Sequence, residues 1–128
     1  MWINRLDHLV LTVADLDATV RFYTEVLGME AQVFGEGRRA LHFGTSKINL
    51  HQAGREFDPK AAQPTPGSAD LCLIVDDHLD QVLEQLSAHG VPIVEGPVTR
   101  TGAHGTLRSV YLRDPDGNLI ELSNYLDD

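Results

Sequence analysis

His8-Leu-Val-Leu-Thr-Val13 returns further along the chain as Asp70-Leu-Cys-Leu-Ile-Val75. In the first copy Leu9, Leu11 and Val13 share one face of an extended strand, and His8, Val10 and Thr12 share the other. Each copy runs into the same sequel. Asp15 offers a helix N-cap; Leu16, Val20, Tyr23 and Leu27 make a helical stripe; Gly28 stops it. In the second copy Asp77, the stripe Leu79, Val82, Leu83 and Leu86, and Gly90 follow in that order. The spacing is constant, because 70 − 8, 77 − 15 and 90 − 28 all equal 62. A strand, cap, helix and glycine stop recurring at one offset indicate a duplicated structural unit.

Outward from these segments the alternation predicts further strands. In the first half they are Met29–Phe34, Arg39–Phe43 and Lys47–Gln52; in the second, Val91–Val98, Leu107–Arg113 and Leu119–Tyr125. Pro92 suits an edge strand or a strand end. Ile48-Asn-Leu-His51 matches Ile120-Glu-Leu-Ser123 at an offset of 120 − 48 = 72, since the second copy has longer connections. The fold class is therefore α+β, as one domain of two βαβββ modules, about 4–53 and about 69–126. A polar connector over 54–68, carrying Pro59, Pro64, Pro66 and Gly67, joins them. Each apolar strand face should cover its own helix, and the opposite faces should curl into a cupped mixed sheet. That second face collects His8, Val10, Thr12, His42, Asn49, His51, Asp70, Cys72, Ser109, Tyr111, Glu121 and Ser123.

The 128 residues are 42% hydrophobic and 23% charged, with a net charge of −9. That is enough for a domain with a core. The acidic balance argues against nucleic acid or anionic membrane surfaces as partners, which select basic patches. No apolar run approaches a membrane span, and the first residues lack an apolar signal region. A single cysteine, Cys72, allows no internal disulfide and fits a cytoplasmic setting.

Four positions are related by the repeat: His8 with Asp70, and Asn49 with Glu121. Glu121 stands out, because its neighbours Ile120 and Leu122 point to the core side and it points away. Imidazole and carboxylate on facing strands are donors suited to a divalent cation. His8, His51 and Glu121 make a set of two imidazoles and a carboxylate suited to Fe, Mn or Zn; Asp70 is the other candidate for the third place. Asp114-Pro-Asp-Gly117 supplies tight-turn chemistry just before the Glu121 strand.

The pattern resembles the vicinal oxygen chelate superfamily, which includes glyoxalase I, bleomycin-resistance proteins, fosfomycin-resistance enzymes and extradiol dioxygenases. The resemblance covers nearly the whole chain. Arg5 to Leu16, with Phe22-Tyr23 and Leu27-Gly28, looks like the superfamily's first module. Lys47 to Gln52 and Pro66 to Asp70 look closest to short glyoxalase-domain proteins, some labelled virulence-related. The resemblance implies metal ligands at His8 and Glu121. Where the family has His on the second module's first strand and Glu on the first module's last strand, this chain has Asp70 and Asn49. Gly102-x-His104, Val110-Tyr111, Asp114-Pro-x-Gly117 and Glu121 are similar to the extradiol dioxygenase signature, which implies roles for Tyr111 and His104 near substrate. Three functions follow as expectations. One is a glyoxalase-like lyase or isomerase using Fe, Ni, Zn or Mn, with Glu121 also moving a proton. Another is an Fe(II) dioxygenase cleaving a catechol. The last is a metal-free, bleomycin-resistance-like binding protein. All three act on small molecules, and the resemblance implies a homodimer.

Overall fold

The computed structural model describes residues 1–126, which divide into two compact units at the Gly67–Ser68 boundary. In the first unit β1 (His8–Val13) leads into α1 (Leu16–Arg21), then β2 (Glu30–Phe34), β3 (Arg38–Phe43) and β4 (Ser46–Gln52). In the second, β5 (Asp70–Ile74) precedes α2 (Leu79–Ala88), β6 (Glu95–Thr101), β7 (Thr106–Arg113) and β8 (Leu119–Tyr125). The sheets have equivalent orders, β1-β4-β3-β2 and β5-β8-β7-β6, with the first pair parallel in each. The α+β reading and the βαβββ repeat are thus seen element by element.

The strand alternation sorts side chains as expected. In the first unit Leu11, Val13, Leu41, Ile48 and Leu50 are buried, and α1 lies against β4. In the second Val110, Leu112, Ile120 and Leu122 are buried, as are Leu79, Val82 and Leu86 of α2. Each fully buried aliphatic side chain contributes about 2 kcal/mol.

Three local readings differ. The first helix does not stay α-helical to Gly28: Phe22–Val26 is a π-helical segment, and the fully buried Tyr23 lies in it. Asp15 caps α1, accepting from Ala18 N at 3.0 Å, but Asp77 does not cap α2. There His78 Nδ1 accepts from Asp80 N at 3.2 Å, and Asn124 Oδ1 takes the Leu79 N–H at 2.8 Å. Asn124 also ties the preceding loop by donating to Val75 O and Asp77 O, while Asp77 accepts from Gln85 instead. The third difference is β6, which starts at Glu95 rather than Val91 and carries a bulge between Glu95 and Val98. Pro92 has no N–H to donate, and Gly96-Pro97 interrupts the ladder further on. Among the described residues no helix is long and apolar enough to cross a membrane.

Candidate functional site

The turn before β8 sets the second unit's inner face. Asp114 Oδ1 accepts from the backbone N–H groups of Asp116 and Asn118, each at 2.9 Å. Asn118 Nδ2 donates to Asp114 Oδ2 at 2.8 Å, and its Oδ1 accepts from Ala69 N at 2.8 Å. Asn118 is 1% exposed and Asp114 5%. One buried amide therefore closes the turn and holds the start of β5, placing Asp70 opposite Leu119.

From that anchor the inner face builds up in cross-strand rungs. The first is Asp70, Leu119 and Arg113. The second is Cys72, Glu121, Tyr111 and Glu95. The third includes Ser123, Ser109 and Val98. The first two rungs except Cys72, with Val94 and Arg100, line a pocket of about 430 Å³. Below it the serines form a buried pair, Ser109 Oγ to Ser123 Oγ at 2.6 Å, with Cys72 Sγ 3.3 Å from Ser123. Ser123 Oγ also lies 3.4 Å from Glu121 Oε2. Burial raises the Cys72 pKa above its ordinary value, the Ser123 hydrogen bond only partly offsetting this, so the sulfur stays a thiol.

The β6 bulge decides which side chains join this face. Glu95 pairs with Tyr111, but Val98 pairs with Ser109, so three steps on β6 match two on β7. The extra residue reverses the alternation, and Arg100 comes round to the same face as Glu95. Its Nε donates to the Tyr111 hydroxyl oxygen at 3.0 Å, and its Nη2 lies 3.4 Å from Glu95 Oε1. Gly96 is required there: at φ +112° an added Cβ would stand 2.6 Å from Ser109 O. Burial raises the Tyr111 pKa, Arg100 pulls it down and Glu121 pushes it up, so the phenol remains protonated at neutral pH.

The first unit has the same rungs with other residues. His8, Lys47, His42 and Glu30 form the first, and Val10, Asn49, Ala40 and Gln32 the second. His51 pairs with Thr12 in the third. His8 Nδ1 lies 2.8 Å from Asp7 Oδ2, and this hydrogen bond lowers the Asp7 pKa. A carboxylate on Nδ1 fixes the ring and leaves Nε2 as the atom that could hold a metal, since ligating histidines commonly carry such a second contact. His51 is 3% exposed and Asn49 5%. His51 Nε2, Asn49 Oδ1 and His42 Nε2 are buried without a hydrogen-bond partner. Burial first, then the Arg38 charge, depresses the His51 pKa, so the ring is neutral and able to ligate. The Phe57 ring packs edge-on against it at 5.6 Å.

Of the predicted site residues, Glu121, Asp70 and Tyr111 share the second-unit pocket. His8 and His51 share a face of the first unit but sit four register steps apart, about 13 Å along the strands. His104 stacks on Tyr125, rings 4.2 Å apart, four residues along β8 from Glu121 and outside the pocket lining. Among the described residues no three His, Cys, Asp or Glu side chains are gathered as a metal site. Arg100 and Glu95 did not emerge from the sequence pattern, though Gly96-Pro97 inside a strand was a bulge signal that would have found them.

The chain matches the Glyoxalase/Bleomycin resistance protein/Dioxygenase superfamily over residues 5–122. It is 58% identical over 126 residues to virulence protein STM3117 of Salmonella typhimurium, covering 98% of this chain and 88% of that protein. The crystal structure of that protein superposes with a TM-score of 0.97, over 98% of this chain and 100% of the other. The glyoxalase domain-containing protein RDO1 of Mycosarcoma maydis is 56% identical over 125 residues, covering 98% of this chain and 70% of that one. With the strand order, the repeat and these matches in agreement, the chain belongs to the glyoxalase/bleomycin resistance protein/dioxygenase superfamily.

Proposed function

We propose that this chain is a divalent-metal-dependent enzyme that binds two adjacent oxygens of a small substrate and acts as a glyoxalase-like lyase or isomerase. The observation that carries the reading is Glu121, a half-buried carboxylate facing a pocket of about 430 Å³ beside Asp70 and a protonated Tyr111. His8, oriented by Asp7, and Glu121 are the ligands proposed first, with Asp70 in the third place; His51, about 13 Å along the strands from His8, is the alternative imidazole in place of His8. A bound Fe, Ni, Zn or Mn ion would supply Lewis acidity, stabilising negative charge on the substrate's oxygens. The protein's own work is then to orient the substrate, to donate a hydrogen bond from Tyr111 and to move a proton at the Glu121 carboxylate. A dioxygenase reading asks for His104 beside Tyr111, and the His104 stack on Tyr125 gives it no support. We also propose that the protein works as a cytoplasmic homodimer.

A metal-free binding protein of the bleomycin-resistance kind is the second reading. It is favoured by Asn49, a neutral amide at the position equivalent to Glu121. Metal analysis of the native protein separates the two. The enzyme reading expects about one divalent ion per chain, with Glu121→Gln and His8→Ala each weakening retention at least about tenfold. Protein that carries no stoichiometric metal and takes none up sinks it. With metal present, hemithioacetal turnover set against oxygen consumption with catechols identifies the reaction.

A further inference from the structure

Arg100 has no part in the ligand set just described, yet the fold goes to some length to place it. A regular β6 would send Arg100 to the face opposite Glu95. The bulge at Gly96-Pro97 turns it back, at a point where only glycine fits. Two contacts then fix the guanidinium on the pocket side: Nε to the Tyr111 oxygen at 3.0 Å and Nη2 to Glu95 at 3.4 Å. A third, Nη1 to the Thr99 carbonyl at 3.0 Å, completes the clamp. A guanidinium can only donate, so the phenol oxygen is the acceptor in this bond. The phenol's own hydrogen must then point away from Arg100. Tyr111 and Glu121 are cross-strand partners on the same face, and the Glu121 carboxylate accepts the phenol's hydrogen, so that direction is the pocket's.

We propose that Arg100 is a positioning residue for Tyr111, and that the pair passes the phenol hydrogen from Glu121, which accepts it in the free protein, to an oxygen atom of the bound ligand. The inference rests on the reading that the Glu121 pocket takes an oxygen ligand. It assigns Arg100 no contact with that ligand. The guanidinium acts by occupying a lone pair, which fixes the phenol rotor and strengthens it as a donor. Glu95 serves Arg100 in turn. The ligand class is a small molecule with a carbonyl, enolate or hydroxamate oxygen at the Tyr111 position.

The test uses the full chain and acetohydroxamic acid, a probe with two adjacent oxygens and no net charge in its free form at neutral pH. Affinity is measured by NMR titration on metal-supplemented and on chelator-treated protein, and amide spectra verify the fold of each variant. Tyr111→Phe and Arg100→Lys should each weaken the probe about tenfold, the scale of one charge-assisted hydrogen bond. Arg100→Lys keeps the positive charge and loses the Nε–H donor, so charge alone does not rescue it. The double variant should bind no more weakly than Tyr111→Phe alone, because Arg100 acts only through Tyr111. The Arg100 Nε–H resonance should move in Tyr111→Phe, without any ligand. Equal weakening by Arg100→Lys in the presence and absence of the phenol hydroxyl would overturn the proposal, as would wild-type affinity in Arg100→Lys. So would a wild-type protein that binds no probe in either metal state. An Arg100 effect that persists after chelation, with affinity unchanged by metal, refutes the metal reading and leaves this one standing.

Discussion

The two units share a strand order and differ in what they put on its inner face. On the rung that holds Glu121, Tyr111 and Glu95 in the second unit, the first has Asn49, Ala40 and Gln32. The first unit instead concentrates imidazoles: His8 and His42 on one rung, His51 two residues beyond Asn49. The repeated backbone therefore carries different side chains in its two copies. Acid, phenol and guanidinium stand in one; imidazoles and a buried amide stand in the other. The irregularities follow the same division. β2 pairs with β3 without a break, whereas β6 is bulged beside the pocket.

The bulge gives the largest expected contrast. Gly37, in the β2–β3 hairpin at φ +80°, has nothing within 4 Å of an added Cβ. Gly96, at φ +112°, would drive that Cβ to 2.6 Å from Ser109 O and 3.0 Å from Val110 Cα. Both neighbours are backbone and cannot swing aside. Gly37→Ala should cost about 1 kcal/mol, the penalty for a positive φ alone. Gly96→Ala should cost about 3 kcal/mol or more, strain and overlap together. Urea unfolding measures both. Equal costs would mean that β6 can shed its bulge cheaply, and the argument for Arg100 would fall with it.

A smaller contrast lies at the start of the last strands. Ser46 and Asn118 are equivalent, at the 72-residue offset. Ser46 Oγ donates to Leu6 O at 3.4 Å and is only half-buried. Asn118 is buried, and its amide holds both Asp114 and the Ala69 N–H. Asn118→Ala removes a donor to the buried Asp114 carboxylate and the acceptor of the Ala69 N–H, for about 2–3 kcal/mol. Ser46→Ala should cost less than about 0.5 kcal/mol. The same urea series decides, and a Ser46→Ala cost that matches Asn118→Ala would show that the two turns are equally anchored.

These contrasts also mark what the amino-acid pattern could reveal. The repeat was legible because strand alternation and helix stripes are local, and because the same residues recur at one offset: Leu9 and Leu71, Asp15 and Asp77, Gly28 and Gly90. The placement of Glu121 opposite Ile120 and Leu122 followed from parity alone. Arg100 was hidden because the predicted strand ended at Val98, two residues short of it, and because a single bulge inverts the parity of every later residue of β6. The capping of α2 was hidden for a different reason. Asp77 looked like Asp15 in sequence, but Asn124, over forty residues away, delivers the acceptor to Leu79 N. The His104 stack on Tyr125 likewise depends on a hairpin closing, with Gly102 N donating to Gly105 O at 2.7 Å. Long-range partners leave no periodic trace.

The mildest contrast sets His51 against its counterpart Ser123. Ser123 is fully buried but satisfied, paired with Ser109. His51 is equally enclosed, with Nε2 unpaired and its pKa depressed by burial and by Arg38. A histidine whose folded pKa lies below its unfolded value binds its proton more readily when unfolded. Its contribution is therefore complete above the unfolded pKa, near 6.5, and is lost as pH falls from there toward the folded value. The slope for one such proton is at most about 1.4 kcal/mol per pH unit. Urea midpoints of the wild type should fall between pH 7 and pH 5.5, and those of His51→Gln should fall less. Ser123→Ala should shift the midpoint by a similar amount at both pH values, since a hydroxyl does not titrate. Parallel pH profiles for wild type and His51→Gln would mean that the imidazole has found a partner for its proton. In that case the neutral nitrogen expected of a ligand would be lost, leaving His8 as the imidazole to test with Glu121 and Asp70.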